Sequence, residues 1–234
     1  YKDPVFIKNY FIWLALVLIT LIFLMVSDRF GPGVLRSYLF GRYFSPKKEQ
    51  RIFIFSDIKD ATTIAEVLGE EQYFLFLKAF FKCISPAISE YRGEIYQYVG
   101  DEIVLTWKIR KSSHNQRSLL CYYKMRSLLL AKSAYFDKTF GIIPDFKSGF
   151  HCGTAVVGEI GVIKRDIAFS GDVLNTAARI QGTCNELDVK VLASEGYLHC
   201  ISPLPRKIEA VPMGAQRLKG KISEVALVTF RNNN

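Results

Sequence analysis

Residues 10–26 form seventeen consecutive positions without a charged side chain, dominated by Leu, Ile, Val, Phe and Trp. The apolar character reaches back through Val5, Phe6 and Ile7 and is interrupted only by Lys8 and Asn9. A helix needs about 20 predominantly apolar residues to cross the hydrocarbon core of a bilayer. A lysine near its end can lay its alkyl stem along lipid while its ammonium reaches the headgroups. The pattern predicts one membrane-spanning helix rather than a cleaved signal peptide, because the run is long for a signal h-region and no small-residue cleavage site follows Val26. The flank beyond it carries Arg29, Arg36, Arg42, Lys47, Lys48 and Arg51 against Asp28 and Glu49. By the positive-inside rule, the remainder of the chain is expected to face the cytoplasm.

That remainder is long enough, within 234 residues that are half hydrophobic, for one medium-sized domain with its own core. The expected division is a membrane helix with its flanks over 1–28, a juxtamembrane linker over 29–50 and a folded domain over 51–234. Gly31, Pro32 and Gly33 break the helix, residues 34–44 suit a membrane surface, and Ser45 and Pro46 close the linker. Because the sequence begins at Tyr1 without an initiating Met, further helices or a sensor upstream are compatible with it. The net charge of +9 raises the possibility of nucleic-acid binding. Much of the excess lies beside the membrane, however, where anionic lipid supplies the counter-charge, and no nucleic-acid motif accompanies it. Five scattered cysteines without a CxxC pair read as reduced and structural.

Residues 51–58 form a near-continuous apolar run, the mark of a strand buried on both faces. Phe74, Leu77, Phe81, Ile84 and Ile88 recur at steps of three and four, predicting a helix packed on that sheet. Residues 94–99 and 102–107 flank Gly100 and Asp101 as a hairpin, since both residue types tolerate the positive φ of tight turns. A helix is expected over 116–138, strands over 146–157 and 160–169 with a break at Gly158, a helix over 172–183, and strands over 189–193, 206–209 and 224–230. Strand, helix, hairpin, helix, strand is the order of a ferredoxin-like βαββαβ unit. The predicted class is therefore α+β, extended by further strands and preceded by one transmembrane helix.

Asp57 alone reads as a cap for the segment starting at Thr62, and Asp101 alone as a turn residue. Together they carry more, because a hairpin laid beside a central strand brings both turns to one edge of the sheet. Two carboxylates there suit Mg²⁺ or Mn²⁺, which keep waters and substrate phosphates in their remaining positions. Asn175 and Arg179, four apart on a predicted helix, share a face. Gly153 and Gly158 have P-loop spacing, but Glu159 stands where lysine is required. His114, His151 and His199 lack zinc-type spacing, and His151 reads as a packed strand residue.

Four motifs in order carry a resemblance. They are Phe55-Ser56-Asp57-Ile58-Lys59-Asp60-Ala61-Thr62, then Val99-Gly100-Asp101-Glu102, then the stretch from His151 to Gly161, and lastly the stretch from Ser170 through Asn175 to Arg179 and Ile180. Over about residues 51–230 the sequence resembles the catalytic domain of the class III nucleotidyl cyclases, the adenylate and guanylate cyclases.

The resemblance implies attack of a nucleoside triphosphate's 3′-hydroxyl on its α-phosphorus with release of pyrophosphate, in signal transduction. Asp57 and Asp101, with the Ile58 carbonyl, would hold two divalent ions, Mg²⁺ or Mn²⁺. Ala61 and Thr62 would bind phosphate through free amides, with Lys219 as a triphosphate contact. Asn175 would orient the ribose and Arg179 would stabilise charge on the α-phosphoryl group. It also implies a homodimer whose sites each draw on both subunits.

Two positions that contact the purine in the family depart from its pattern. Gln97 stands where adenylate cyclases commonly carry Lys and guanylate cyclases Glu, and Ala168 where Asp or Thr is common in adenylate cyclases. Gln97 can donate and accept, Ala168 offers no side-chain hydrogen bond, and nearby Asp166 reads as a surface charge. ATP is the expected substrate, giving cAMP. The alternatives are GTP giving cGMP, or a non-catalytic nucleotide-binding dimerisation domain.

Overall fold

The structure is a computed structural model that describes residues 4–30, 43–163, 165–221 and 223–233. The stretch 31–42, with the predicted break and most of the membrane-surface segment, lies outside the described residues. The described chain divides into two compact units, residues 1–47 with 158–168, and residues 48–157 with 169–234.

The first unit contains one long helix, α1 (Pro4–Phe30). Apolar residues surround it on every side, and its described side chains lie open, Trp13 at 69% and Ile19 at 65% exposure among them. An all-round apolar surface on a helix of this length meets the requirements for crossing a bilayer. In the same unit the Glu159 amide donates to the Tyr43 carbonyl at 3.0 Å, and Pro46 lies against Gly158.

The second unit is built around β1 (Lys47–Ile58). The helices α2 (Ala61–Leu68) and α3 (Glu70–Glu90) follow, then the hairpin of β2 (Glu94–Val99) and β3 (Glu102–Lys108). Next come α4 (Ser112–Ala131), α5 (Ser133–Phe140), β4 (Phe146–Ile160) and β5 (Asp166–Ser170), which each lie partly in the first unit, and α6 (Asp172–Thr183). β6 (Val191–Ser194), α7 (Glu195–Ile201), β7 (Ile208–Gln216) and β8 (Val225–Asn232) complete it.

Among the described residues the sheet runs β2-β3-β1-β4-β6-β8-β7, with β5 paired to β4. Its first four strands have the spatial order of a ferredoxin-like unit, and the rest extend the sheet beyond β4. β1 is buried on both faces, as its unbroken apolar run predicts. Ile52, Ile54 and Ile58 face α3 and α4, whereas Phe53 and Phe55 face α6 with Val104, Val173 and Ala177.

Several elements depart from the sequence reading. In α3 the buried positions are Phe76, Phe80, Ile84, Ala87 and Ile88, while Phe74 is 68% exposed. Aromatic and aliphatic residues crowd positions 73–77 and 79–81, so several three-and-four registers fit the sequence and packing selected this one. The expected single helix over 116–138 is two, joined at Lys132, whose amide still reaches the Leu128 and Leu129 carbonyls. β4 continues through Gly158 to Ile160 because β5 pairs alongside it, so the reversal comes later, at Gly161 with φ +96°. The five cysteines form no disulfide.

Candidate active site

β1 and β3 pair antiparallel, and the register sets Asp57 opposite Glu102. Asp101 precedes Glu102 in the turn, where Gly100 takes φ +62°, so both aspartates meet at one end of the sheet. Burial, followed by the neighbouring Asp101 carboxylate, pushes the Asp57 carboxyl up to about 7. Glu102 acts in the same direction and Lys147 opposes it.

Two crowded carboxylates in a half-buried place are a site short of positive charge. A divalent cation fits that deficit, and Asp57, Asp101 and the terminal residue of β1, Ile58, are the groups at hand to hold it. Among the described residues no cluster of three or more His, Cys, Asp and Glu side chains forms. A two-carboxylate set suits an ion that shares its coordination with water and phosphate better than one in a closed protein cage.

Directly after β1, Asp60 adopts φ 58° and α2 begins at Ala61. No side chain caps that end, so the first-turn amides at Ala61 and Thr62 keep their hydrogen-bonding capacity. Both sites predicted from this stretch therefore lie close to Asp57 along the chain.

α6 supplies the other predicted group. Val173, Ala177 and Gln181 form the face packed on the sheet, and the helix sits so close to β4 that a Cβ on Gly149 would fall 2.2 Å from the Gln181 amide nitrogen. Gln181 Nε2 donates to Asp57 Oδ2 at 3.3 Å. Each residue turns the helix by about 100°, so Asn175 and Arg179 lie on the side away from this face.

There they meet the loop before β8. Leu218 is buried with Ile180 and Leu192, Lys221 Nζ donates to Asp172 Oδ2 at 2.6 Å, and Gly220, at φ +69°, would bring a Cβ within 3.3 Å of the Arg179 guanidinium. Lys219 is exposed in this turn, next to Gly220 in sequence. Within one chain, Asp57 touches the sheet side of α6, and Asn175 and Arg179 occupy the other, with Arg179 beside Gly220.

The family profile described as adenylate and guanylate cyclase catalytic domain matches residues 45–230. The chain belongs to this family. It is 32% identical over 207 residues to adenylate cyclase 2 of Rhizobium meliloti (strain 1021), a match covering 88% of this chain and 57% of that protein. The chain thus spans little more than half the length of that relative. The fold resembles that of a bacterial light-regulated adenylyl cyclase, with a TM-score of 0.80, 18% identity and coverage of 100% of this chain and 68% of that one. It also resembles the guanylyl cyclase Cya2, with a TM-score of 0.71, 17% identity and coverage of 80% and 94%.

In this cyclase domain Gln97 lies exposed on β2, just past an irregularity in the β2–β3 register. Its neighbour Tyr96 packs edge-on to Phe169, which in turn packs on Phe53. Ala168 is half-buried in β5, and Asp166 is exposed, its carboxylate accepting from the Ile167 amide at 2.8 Å. His151 is a hydrogen-bonded strand residue, with Nδ1 2.7 Å from Ser194 Oγ.

Sequence reasoning missed Gln181, whose contact with Asp57 joins residues 124 positions apart and leaves no local signal. It also read Arg51 only as flanking charge. Arg51 is buried, pairs with Glu49 at 2.9 Å and Glu94 at 2.6 Å, and lies 4.6 Å from the centre of the Phe169 ring. A charge opening an otherwise apolar strand was the available clue.

Proposed function

We propose that this chain is a membrane-anchored nucleotidyl cyclase that converts ATP to cAMP and pyrophosphate as a homodimer, with its catalytic domain in the cytoplasm. The observation that carries the reading is the arrangement around α6. The Asp57 and Asp101 carboxylates lie toward its sheet side, and Asn175 and Arg179 lie on the opposite side. One chain thereby offers two half-sites that face apart. Pairing two copies about a two-fold axis would complete both.

In the reaction, the ribose 3′-oxygen forms a bond to the α-phosphorus as the bond from that phosphorus to the bridging oxygen of pyrophosphate breaks. Divalent ions at Asp57, Asp101 and Ile58 would lower the pKa of the attacking hydroxyl and offset triphosphate charge. The Ala61 and Thr62 amides and Lys219 hold the triphosphate in this reading. Asn175 orients the ribose, and the planar Arg179 guanidinium, held beside Gly220, stabilises charge on the α-phosphoryl oxygens. Gln181 acts as a positioning residue, fixing the Asp57 carboxylate. ATP rather than GTP follows from Gln97 in place of the guanylate-type Glu, and the exposed apolar helix α1 supports the anchor.

Incubation of the full chain with ATP or GTP and Mn²⁺, with identification of the product, tests the reading; absence of a cyclic product from both nucleotides refutes it. Mixing inactive Asp57→Ala and Asn175→Ala chains should restore part of the activity, since one of the two sites in a mixed dimer is intact. No recovery in verified mixed dimers would refute the shared site.

A further inference from the structure

We propose that a cleft of about 200 Å³ at the far end of the β1–β3 pair, lined by Arg92, Arg110, His114 and Arg117, binds a phosphate-type anion, separately from the triphosphate site. The cleft lies between the α3–β2 connection, the end of β3 and the start of α4. Asp57 pairs with Glu102 at one end of β3, while Lys108 pairs with Arg51 at the other. Six residue steps along the strand separate them, about 20 Å.

The charges around the cleft do not cancel. Glu94 and Lys108 also line it, but both belong to a network in which Lys108 holds Glu49 at 2.7 Å, Glu49 holds Arg51, and Arg51 holds Glu94. Among the described residues Arg92, Arg110 and Arg117 have no carboxylate partner. Three arginines thus line one small cleft without an ion pair of their own among the described residues. Mutual repulsion would disperse such groups unless an anion repays their approach, and guanidinium forks match phosphate oxygens.

The surroundings are built rather than loose. The buried Asn115 side chain accepts from the Arg110 amide at 2.9 Å and donates to the Arg110 carbonyl at 3.0 Å, fixing the backbone there. His114 and Arg117, three apart, share one side of the first turns of α4, and Arg110 lies just before the helix. The Trp107 indole forms a wall, its Nε1 donating to the Tyr91 carbonyl at 3.0 Å.

Two sources could supply the phosphate group, a free anion or an anionic lipid headgroup. The cleft adjoins the entry of β1, the strand that comes after the membrane-type helix in sequence, so both are tested. The sequence has two tryptophans, Trp13 and Trp107. In a Trp13→Phe background of the full chain, held in neutral detergent micelles, Trp107 alone reports on the cleft.

Titration with inorganic phosphate, or with dioctanoyl phosphatidic acid, should change its emission saturably, whereas sodium chloride at matched ionic strength should not. Saturation by inorganic phosphate assigns a free anion, and saturation by the lipid alone assigns a headgroup. Adding Arg92→Gln and Arg117→Gln should weaken binding by about tenfold or more per lost guanidinium. The single Arg117→Gln variant, checked by its thermal melt, keeps the test valid if the double variant folds poorly. No saturable response to either probe, or equal affinity in folded Arg→Gln variants, overturns the proposal.

Discussion

Gly149 offers the most direct test of how α6 is held. A Cβ at this position would fall 2.2 Å from the Gln181 nitrogen and 2.6 Å from the Ala177 carbonyl oxygen, both backbone atoms. Ordinary contact begins near 3.4 Å, so in Gly149→Ala the helix must retreat by about 1 Å. Overpacking of this kind costs about 1–3 kcal/mol. The retreat would also displace Asn175, Arg179 and the Gln181 contact to Asp57, and a misplacement of about 1 Å can lower a rate by about 100-fold.

Gly182 lies near the end of the same helix, and a Cβ there meets nothing within 4 Å. Gly182→Ala should therefore stabilise by up to about 1 kcal/mol through its effect on the unfolded chain. Urea denaturation of the two variants, with cyclase rates measured in parallel, separates close packing from helix propensity. Wild-type stability and rate in Gly149→Ala would refute the flush seating of α6 on β4.

Two further perturbations concern buried charge. Burial, then the Lys221 ammonium, lower the His151 pKa from 6.5 to about 4. The unfolded chain therefore takes up the proton more readily between those values, and stability should fall by up to about 3 kcal/mol as pH drops through that window. His151→Gln should flatten this part of a stability-versus-pH curve, and an unchanged slope would refute the assignment. Arg51→Met would strip Glu49 and Glu94 of a buried partner. Breaking a buried pair costs about 3 kcal/mol, and a urea midpoint equal to wild type would show that Arg51 does not stabilise the domain.

Where sequence chemistry acted locally, it was legible. The φ-tolerant pair Gly100 and Asp101 marked the hairpin, the unbroken apolar run marked β1 as central, and residues 172–183 matched α6 to its ends. Phase was less accessible. In α3 and α4 apolar residues stand side by side in the sequence, and only packing selected Phe76 over the exposed Phe74 and Leu129 over the exposed Leu130. The return of the β4–β5 hairpin was likewise set by strand pairing rather than by the first available glycine.

The sequence by itself determined which residues could do chemistry. Aspartates at strand and turn ends, an Asn and Arg one helical turn apart, and an uncharged run of membrane length are properties of spacing and side-chain type. Only the tertiary structure decided what those residues face. Gly149 lets α6 settle against the sheet, which turns Gln181 toward Asp57 and leaves Asn175 and Arg179 on the opposite side beside Gly220. Spacing along a chain defines a helix face, but the side of the helix that meets the sheet is fixed by shape across distant segments.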